Sequence, residues 1–233
     1  MLDSGVDHRA GQTLTQRLMR IRTFSGIACL LLAPLTAQAQ FHSYPSFQVP
    51  RISTRDFTFA IADGGRDATT LLYQWRGSST VNRHLQFDLG VADGPPGDVR
   101  FVIGGGLAQQ THRANVDFPL DMALTAGVGG SFGDGLSLLR VPFGLSLGHT
   151  FLFDSPTALT PYVHPRVALD YCSRCGPGAD GDADIGMELD LGLDVRFTRA
   201  MSMRASVLMG GTNFTRGGDS FGLSLVWSPP GFR

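Results

Sequence analysis

Hydrophobic and polar residues alternate along most of the chain after about residue 55. The clearest stretch is Ile185–Phe197, in which every odd position is apolar. The even positions of the same stretch are glycine, aspartate, glutamate or arginine. A period of two over thirteen residues predicts a β-strand with one apolar face and one polar face.

The same alternation recurs between clusters of turn-forming residues. Further strands are predicted at Asp56–Ala62, Thr69–Arg76, Leu85–Val91, Val99–Gln109, Met122–Phe132, Leu139–Phe151, Leu159–Tyr171, Met201–Gly210 and Ser220–Trp227. Together with Ile185–Phe197 they make ten strands and leave no stretch of helical periodicity among them. The sequence therefore predicts an all-β, antiparallel up-and-down β-barrel of about ten strands, with eight strands as the alternative.

The apolar faces of these strands favour a barrel that crosses a membrane. The longest predicted strands have about thirteen residues, enough for a tilted transmembrane strand of about 9–11 residues. Charges on the strands are few and separated by glycine and serine, as suits a confined lumen. With an even number of strands, both ends of the chain are expected on the same side of the membrane, in the periplasm. A soluble sandwich or lipocalin-like barrel is the alternative, since it alternates as well.

The N-terminal region has the features of a secretory signal peptide. Arg17, Arg20 and Arg22 precede a short apolar core, which is followed by Ala37-Gln38-Ala39. We expect cleavage between Ala39 and Gln40, with Met1 or Met19 as the start of the chain. The predicted domains are a signal peptide with an N-terminal extension at 1–39, a periplasmic lead segment at 40–55 and the barrel at 56–233.

Composition narrows the classes of function. The chain has 30 glycines, and its 19 basic residues are all arginine against 20 acidic residues, for a formal net charge of −1. This balance is not that of a nucleic-acid-binding protein, which carries a basic patch. Glycine is enriched well above its usual share of about 7%, which fits tight turns and a closely packed barrel wall.

The last predicted strand carries a family resemblance. Ser220, Gly222, Leu225 and Trp227 resemble the C-terminal β-signal of bacterial outer-membrane proteins, although Ser228–Arg233 follow the terminal aromatic residue here. With the signal peptide and the alternating strands, the chain looks like the small, opacity-protein-like outer-membrane barrels. The resemblance implies an outer-membrane location, contact with outer-membrane lipid and the barrel-assembly machinery as a partner; it implies no activity, and the oligomeric state is left open.

The polar faces of the strands bring charged and titratable residues into the predicted lumen. They are Asp88, Arg100, Arg140, His164, Arg166, Asp170, Glu188, Asp190, Asp194, Arg196 and Arg204. Small barrels are filled with side chains, and buried charges are tolerable only when they are paired. The sequence thus predicts an Arg/Asp/Glu network that fills the lumen, in which Asp190 is expected to pair with Arg166 or Arg204.

Three functions are compatible with this lumen. A structural or surface-interaction barrel is favoured, and no catalytic activity is expected because His164 points inward beside Arg166. A narrow pore for ions or small solutes is the alternative, since small residues such as Gly104, Gly127 and Gly144 leave space along one wall. An outer-membrane hydrolase is the third possibility.

The longest predicted outer loop contains Cys172 and Cys175. In an exported protein these two cysteines are expected to form a disulfide. A single C-x-x-C motif lacks the second ligand pair of a zinc site. Asp180, Asp182 and Asp184 alternate in the same loop, but the pattern lacks the glycine and distal glutamate of a calcium-binding loop. No metal or other cofactor is predicted.

Overall fold

The computed structural model describes residues 44–63, 69–94, 98–133, 136–153, 156–174, 180–215 and 219–230. The predicted signal peptide, its cleavage site at Ala39–Gln40 and Cys175 lie outside these residues and stay predictions. The strands are β1 (Arg55–Asp63), β2 (Thr69–Thr80), β3 (Arg83–Gly94), β4 (Asp98–His112), β5 (Asp121–Gly133), β6 (Leu136–Gly148), β7 (Phe151–Leu152), β8 (Ala158–Cys172), β9 (Asp182–Arg196), β10 (Met201–Gly211) and β11 (Ser220–Trp227).

Ten long strands close into an antiparallel barrel. Neighbouring strands pair in sequence order within β1 to β6 and again within β8 to β11. β6 pairs with β8, and β1 pairs with β11, which closes the barrel. The two-residue strand β7 adds only a short pairing to β8. This architecture confirms the predicted all-β barrel and its count of ten strands rather than eight.

Among the residues that the structure describes, no helix is both long enough and apolar enough to cross a membrane.

The barrel wall separates an apolar outer face from a polar inner face. Phe59, Leu89, Phe143 and Leu191 are among the exposed apolar residues on the outer face, with Leu191 44% exposed. In β11 the burial alternates residue by residue from Ser220 to Trp227, with Ser220, Gly222, Ser224 and Val226 inward. This is the reverse of a soluble barrel, because the apolar side chains lie on the outside.

Aromatic residues gather near both ends of the outer face. At the end where β1 begins and β11 ends, the rings of Phe57 and Trp227 stack with centroids 5.4 Å apart. At the opposite end Phe101 pairs with Phe132 across β4 and β5, and both side chains are exposed. Such paired aromatic belts are typical of proteins that cross two membrane–water interfaces.

The two openings of the barrel are distinguished by the chain. We call the opening where β1 begins and β11 ends the terminal mouth; it includes the connections after β2, β4, β6 and β9. We call the other opening the loop mouth; it includes the connections after β1, β3, β5, β8 and β10. In the topology expected from the sequence, the terminal mouth faces the periplasm.

The residues before β1 lie inside the barrel. Phe47, Gln48 and Val49 are buried, and Phe47 joins a cluster with inward-facing apolar residues of β1 to β4. We call residues 44–52 the lumen segment. Phe47, Gln48 and Val49 of the predicted periplasmic lead, residues 40–55, thus lie within the lumen. The alternation of the strands did not predict this position.

One substitution on β9 tests the outward assignment of the apolar face. Leu191→Arg places a charge near the middle of the lipid-facing surface and should lower the free energy of unfolding by about 2–4 kcal/mol. Ile185→Arg, close to the end of the same strand, is the matched control and should cost only about 0–1 kcal/mol. Urea titrations in lipid vesicles measure both values; equal costs at the two positions would contradict a membrane against this face.

Candidate functional site

Three arginines of the barrel wall bind backbone carbonyls of the lumen segment. Arg76 donates to the carbonyl oxygens of Phe47 at 3.1 Å and Ser46 at 3.0 Å. Arg204 reaches the same Phe47 carbonyl at 3.3 Å, and Arg166 reaches the carbonyl of Tyr44 at 3.3 Å. These donors come from β2, β10 and β8, so the segment is held from several sides of the barrel.

Phe47 adopts a backbone conformation that serves these contacts. Its φ angle is 51°, in the left-handed region that a bulky residue enters only at a cost of about 1–3 kcal/mol. Its ring lies against Gly222, where an added Cβ would come within 2.5 Å of the ring. The glycine of the predicted β-signal therefore leaves the space that the Phe47 ring occupies. Ser220 of that motif also faces inward, while Leu225 and Trp227 face outward.

A first charge cluster joins β6, β8 and β9. Arg140 forms two parallel hydrogen bonds with Asp170, at 2.8 and 2.7 Å, and an ion pair with Glu188 at 2.9 Å. Arg166 approaches the other oxygen of Glu188 at 2.7 Å. Asp170 and Glu188 have fully buried side chains. The two arginines thus neutralise carboxylates that could not stay charged in the lumen without a partner.

His164 connects this cluster to the lumen segment. Its Nδ1 lies 2.8 Å from Ser46 Oγ and 3.3 Å from Asp190 Oδ2, and Ser46 Oγ donates to Asp190 at 2.7 Å. Its Nε2 lies 2.9 Å from Thr125 Oγ1. A neutral imidazole with its hydrogen on Nδ1 satisfies both contacts, since it donates to Ser46 Oγ and accepts from Thr125 Oγ1. Arg166 lies 3.7 Å from the same Asp190 oxygen.

A second charge cluster lies closer to the terminal mouth. Arg204 pairs with Asp194 at 2.6 Å and with Asp56 at 3.5 Å. The register of β9 and β10 explains this choice, because Arg204 stands opposite Asp194 while Asp190 stands opposite Leu208. Of the two partners expected for Asp190, Arg166 therefore lies beside it, whereas Arg204 pairs with Asp194.

Two residues of the predicted network, Asp88 and Arg196, form hydrogen bonds with uncharged groups. Asp88 is buried and accepts hydrogen bonds from Gln86 Nε2, with both oxygens at 2.9 Å. Arg196 donates to the carbonyl of Pro156 at 3.2 Å. Among the described residues neither forms an ion pair. Cys172 is disulfide-bonded, and its predicted pairing with Cys175 stays a prediction because Cys175 lies outside the described residues.

Three important residues of this site, Arg76, Asp56 and Ser46, are absent from the network predicted from the sequence. Arg76 is completely buried, and the alternation of β2 could have revealed it because Trp75 and Tyr73 lie on the opposite face. Asp56 could have been found in the same way from the apolar Phe57 that follows it. Ser46 belongs to the lumen segment and had no periodic signal.

The small-residue wall predicted from the sequence borders a cavity. Gly104, Gly106 and Gly127 line it together with Thr125 and His164, and its volume is about 130 Å³. Gly144 leaves the space for the imidazole, since a Cβ there would lie 2.5 Å from His164 Nε2. A cavity of this size has room for a few water molecules.

The hydroxyl, imidazole and carboxylate of Thr125, His164 and Asp190 follow the order of a nucleophilic relay. The adjoining cavity is too small for a lipid or peptide substrate, and the Asp190 carboxylate also interacts with Ser46 and Arg166.

The motif G-x-S-x-G surrounds three serines, Ser131, Ser146 and Ser220, but each lies within a strand. The nucleophile elbow of hydrolases requires a strand-to-helix turn instead. The geometry therefore fits a structural histidine better than a catalytic one.

Comparisons with known proteins give little further guidance. No protein-family model matches the chain, and no curated protein matches it. Among solved structures it is similar to a "Bacterial polysaccharide outer membrane secretin", with a TM-score of 0.46 and 8% sequence identity. The similarity covers 70% of this chain and 57% of the other. The assignment of the fold therefore rests on the strand pairing of this chain itself.

Asp170→Asn tests whether the first charge cluster is a dry, paired network. The change leaves Arg140 without one of its two carboxylates and should cost about 3–5 kcal/mol of unfolding free energy in a dry lumen. Asp117→Asn, in the exposed connection after β4, is the matched control and should change stability by no more than about 0.5 kcal/mol. Urea titrations in vesicles give both values. A loss below about 1 kcal/mol at Asp170 would mean that water shares the pairing.

Proposed function

We propose that this protein is an outer-membrane β-barrel of the structural or surface-interaction type with a closed lumen. The observation that carries the proposal is the lumen segment, which lies inside the barrel and is bound there by Arg76, Arg166 and Arg204. A barrel that conducts solutes needs a continuous path, and here the path is occupied by the protein's own backbone.

Several independent features support an outer-membrane location. The outer face is apolar between two aromatic belts, which suits the hydrocarbon region and its two interfaces. The sequence begins with signal-peptide features and ends its last strand with a β-signal-like motif. We therefore propose cleavage after Ala39, assembly by the barrel-assembly machinery and contact with outer-membrane lipid.

The charge clusters support a closed lumen as well. The carboxylates of Asp170, Glu188 and Asp190 have fully buried side chains. Displacing the lumen segment would break the bonds from Ser46 to Asp190 and His164 together with the arginine bonds to its carbonyls. Each lost hydrogen bond to a charged group costs about 1.5–3 kcal/mol, so spontaneous opening is disfavoured.

The loop mouth provides the surface for a structural or interaction role. Its exposed acidic residues include Asp63 and Asp93, at the ends of β1 and β3, and Asp182 and Asp219, at the starts of β9 and β11. Acidic, polar loops on a rigid barrel suit contact with cationic groups at a cell surface. We propose no catalytic role, because the relay-like arrangement at His164 has no room for a substrate.

A narrow pore is the second candidate. The cavity of about 130 Å³ beside the glycine wall favours it, because movement of the lumen segment toward the opposite wall would extend that space. The two candidates differ in one property: the closed barrel carries no current, whereas the pore does.

Conductance in planar bilayers separates the two functions. The full-length exported protein should give no current steps, because the lumen segment blocks the path. Arg76→Ala combined with Arg204→Ala removes three of the donors to that segment and should produce steps. Arg174→Ala, an exposed arginine after β8, is the control and should stay silent.

A second variant protects this test against misfolding. Phe47→Ala removes the ring from its apolar cluster and leaves the barrel wall unchanged, so it should also conduct if the segment is the block. Folding of each variant is checked by the shift in electrophoretic mobility on heating. Steps from the unmodified protein would refute the closed barrel in favour of the pore.

A further inference from the structure

A second and larger cavity opens at the terminal mouth. Its volume is about 640 Å³, within the range of about 300–1,000 Å³ that is usual for small-molecule sites. The walls come from the end of the lumen segment, β8, β9, β10, the connection after β4 and the residues that follow β11. We call this space the terminal vestibule.

Arginines dominate the charged lining of the terminal vestibule. Six of them converge from separate parts of the chain: Arg51, Arg55, Arg113, Arg196, Arg199 and Arg204. Among the described lining residues only Asp56 and Asp194 are acidic. Arg204 already pairs with both of these, and Ser228 donates to Asp56 as well. Both carboxylates are therefore already engaged by Arg204.

The remaining arginines differ in how they are engaged. Arg51 pairs with Asp121 at 3.2 Å but keeps a side chain that is 48% exposed. Arg196 uses its Nε to donate to the Pro156 carbonyl. Arg113 and Arg199 are exposed and contact no carboxylate of the part of the chain that is described here. Guanidinium groups on several sides of one water-accessible space are thus available to a solute.

We propose that the terminal vestibule binds a compact multivalent oxyanion, a polyphosphate or a polycarboxylate. The planar guanidinium donates paired N–H bonds that match the oxygens of phosphate and carboxylate groups. Several arginines of one sign, in a cleft with low-dielectric walls, concentrate the positive potential and attract anions. Thr150 and Thr160 line the same space, and because their hydroxyls bond to each other at 3.0 Å, one O–H of the pair is left to donate.

This site is independent of the proposed closed lumen. It requires only that the terminal mouth be open to water, and the exposure of Arg51, Arg113 and Arg199 shows that solvent reaches it. An anion bound there would contact both the lumen segment, through Arg51, and the wall, through Arg196 and Arg199. It would thereby link the segment to the barrel at the terminal mouth.

Calorimetric titration of the full-length exported protein in a nonionic detergent tests the proposal. The probes are tripolyphosphate and citrate, with chloride at equal ionic strength as the baseline. The unmodified protein should bind one tripolyphosphate, with an affinity that falls as salt is added. Arg113→Gln combined with Arg199→Gln should weaken binding by at least about tenfold, since two charge-assisted contacts to the anion are lost.

Arg174→Gln is the matched control, because it removes an exposed arginine at the loop mouth and should leave the affinity unchanged. An equal loss in this control would show that binding is unspecific surface attraction and would overturn the site, as would an unmodified protein that binds neither probe. Unchanged affinity in the double variant would also overturn the site.

Nanodiscs of two lipid compositions distinguish a soluble anion from the phosphate group of a lipid. In nanodiscs of phosphatidylcholine the affinity for tripolyphosphate should equal that in detergent. If nanodiscs with phosphatidylglycerol keep this affinity, the site serves a soluble anion. If phosphatidylglycerol displaces tripolyphosphate from the unmodified protein but has no effect on the residual binding of the double variant, the site binds a lipid phosphate.

Discussion

The bonds between wall arginines and the carbonyls of the lumen segment are the constraint on which the rest of this structure depends. A stretch of chain without regular structure has backbone groups that need partners wherever water is scarce. Here Arg76, Arg166 and Arg204 supply those partners from three different strands. Without them, the carbonyls of Tyr44, Ser46 and Phe47 would lose these hydrogen bonds inside the barrel, and a buried backbone group without a partner is costly.

These arginines also explain the acidic residues around them. Arg166 and Arg204 are buried cations, so each requires a carboxylate as well as its carbonyl bond. Glu188 and Asp190 serve Arg166, and Asp194 and Asp56 serve Arg204. The carboxylates beside Arg166 and Arg204 are therefore a consequence of holding the segment with buried cations.

Much of the barrel follows from the sequence because a strand has a period of two. Once β9 is recognised from Ile185 to Phe197, the direction of every side chain in it is determined, and Glu188, Asp190 and Asp194 turn inward as expected. The same alternation indicates the outward position of Leu191. These are local properties, and they need no knowledge of which strands are neighbours.

The pairing of charges and the lumen segment were less accessible. Whether Arg204 meets Asp190 or Asp194 depends on the register between β9 and β10, which the pattern of each strand does not contain. Ser46 meets Asp190 across 144 positions of the chain. A segment with no periodicity whose partners are this distant leaves no trace in local sequence. Arg76 is different, because it ends the predicted strand Thr69–Arg76 and the alternation of that strand already indicates its inward position.

The position of the lumen segment is the central claim, and the accessibility of a cysteine at Ser46 tests it most directly. Ser46→Cys and Val116→Cys, the latter at a fully exposed position, are each treated with a membrane-impermeant thiol reagent in the folded barrel without reductant. The account predicts rapid labelling of Val116→Cys and labelling of Ser46→Cys only after the barrel is unfolded. Labelling of both variants at the same rate in the folded protein would show that the segment lies outside the lumen.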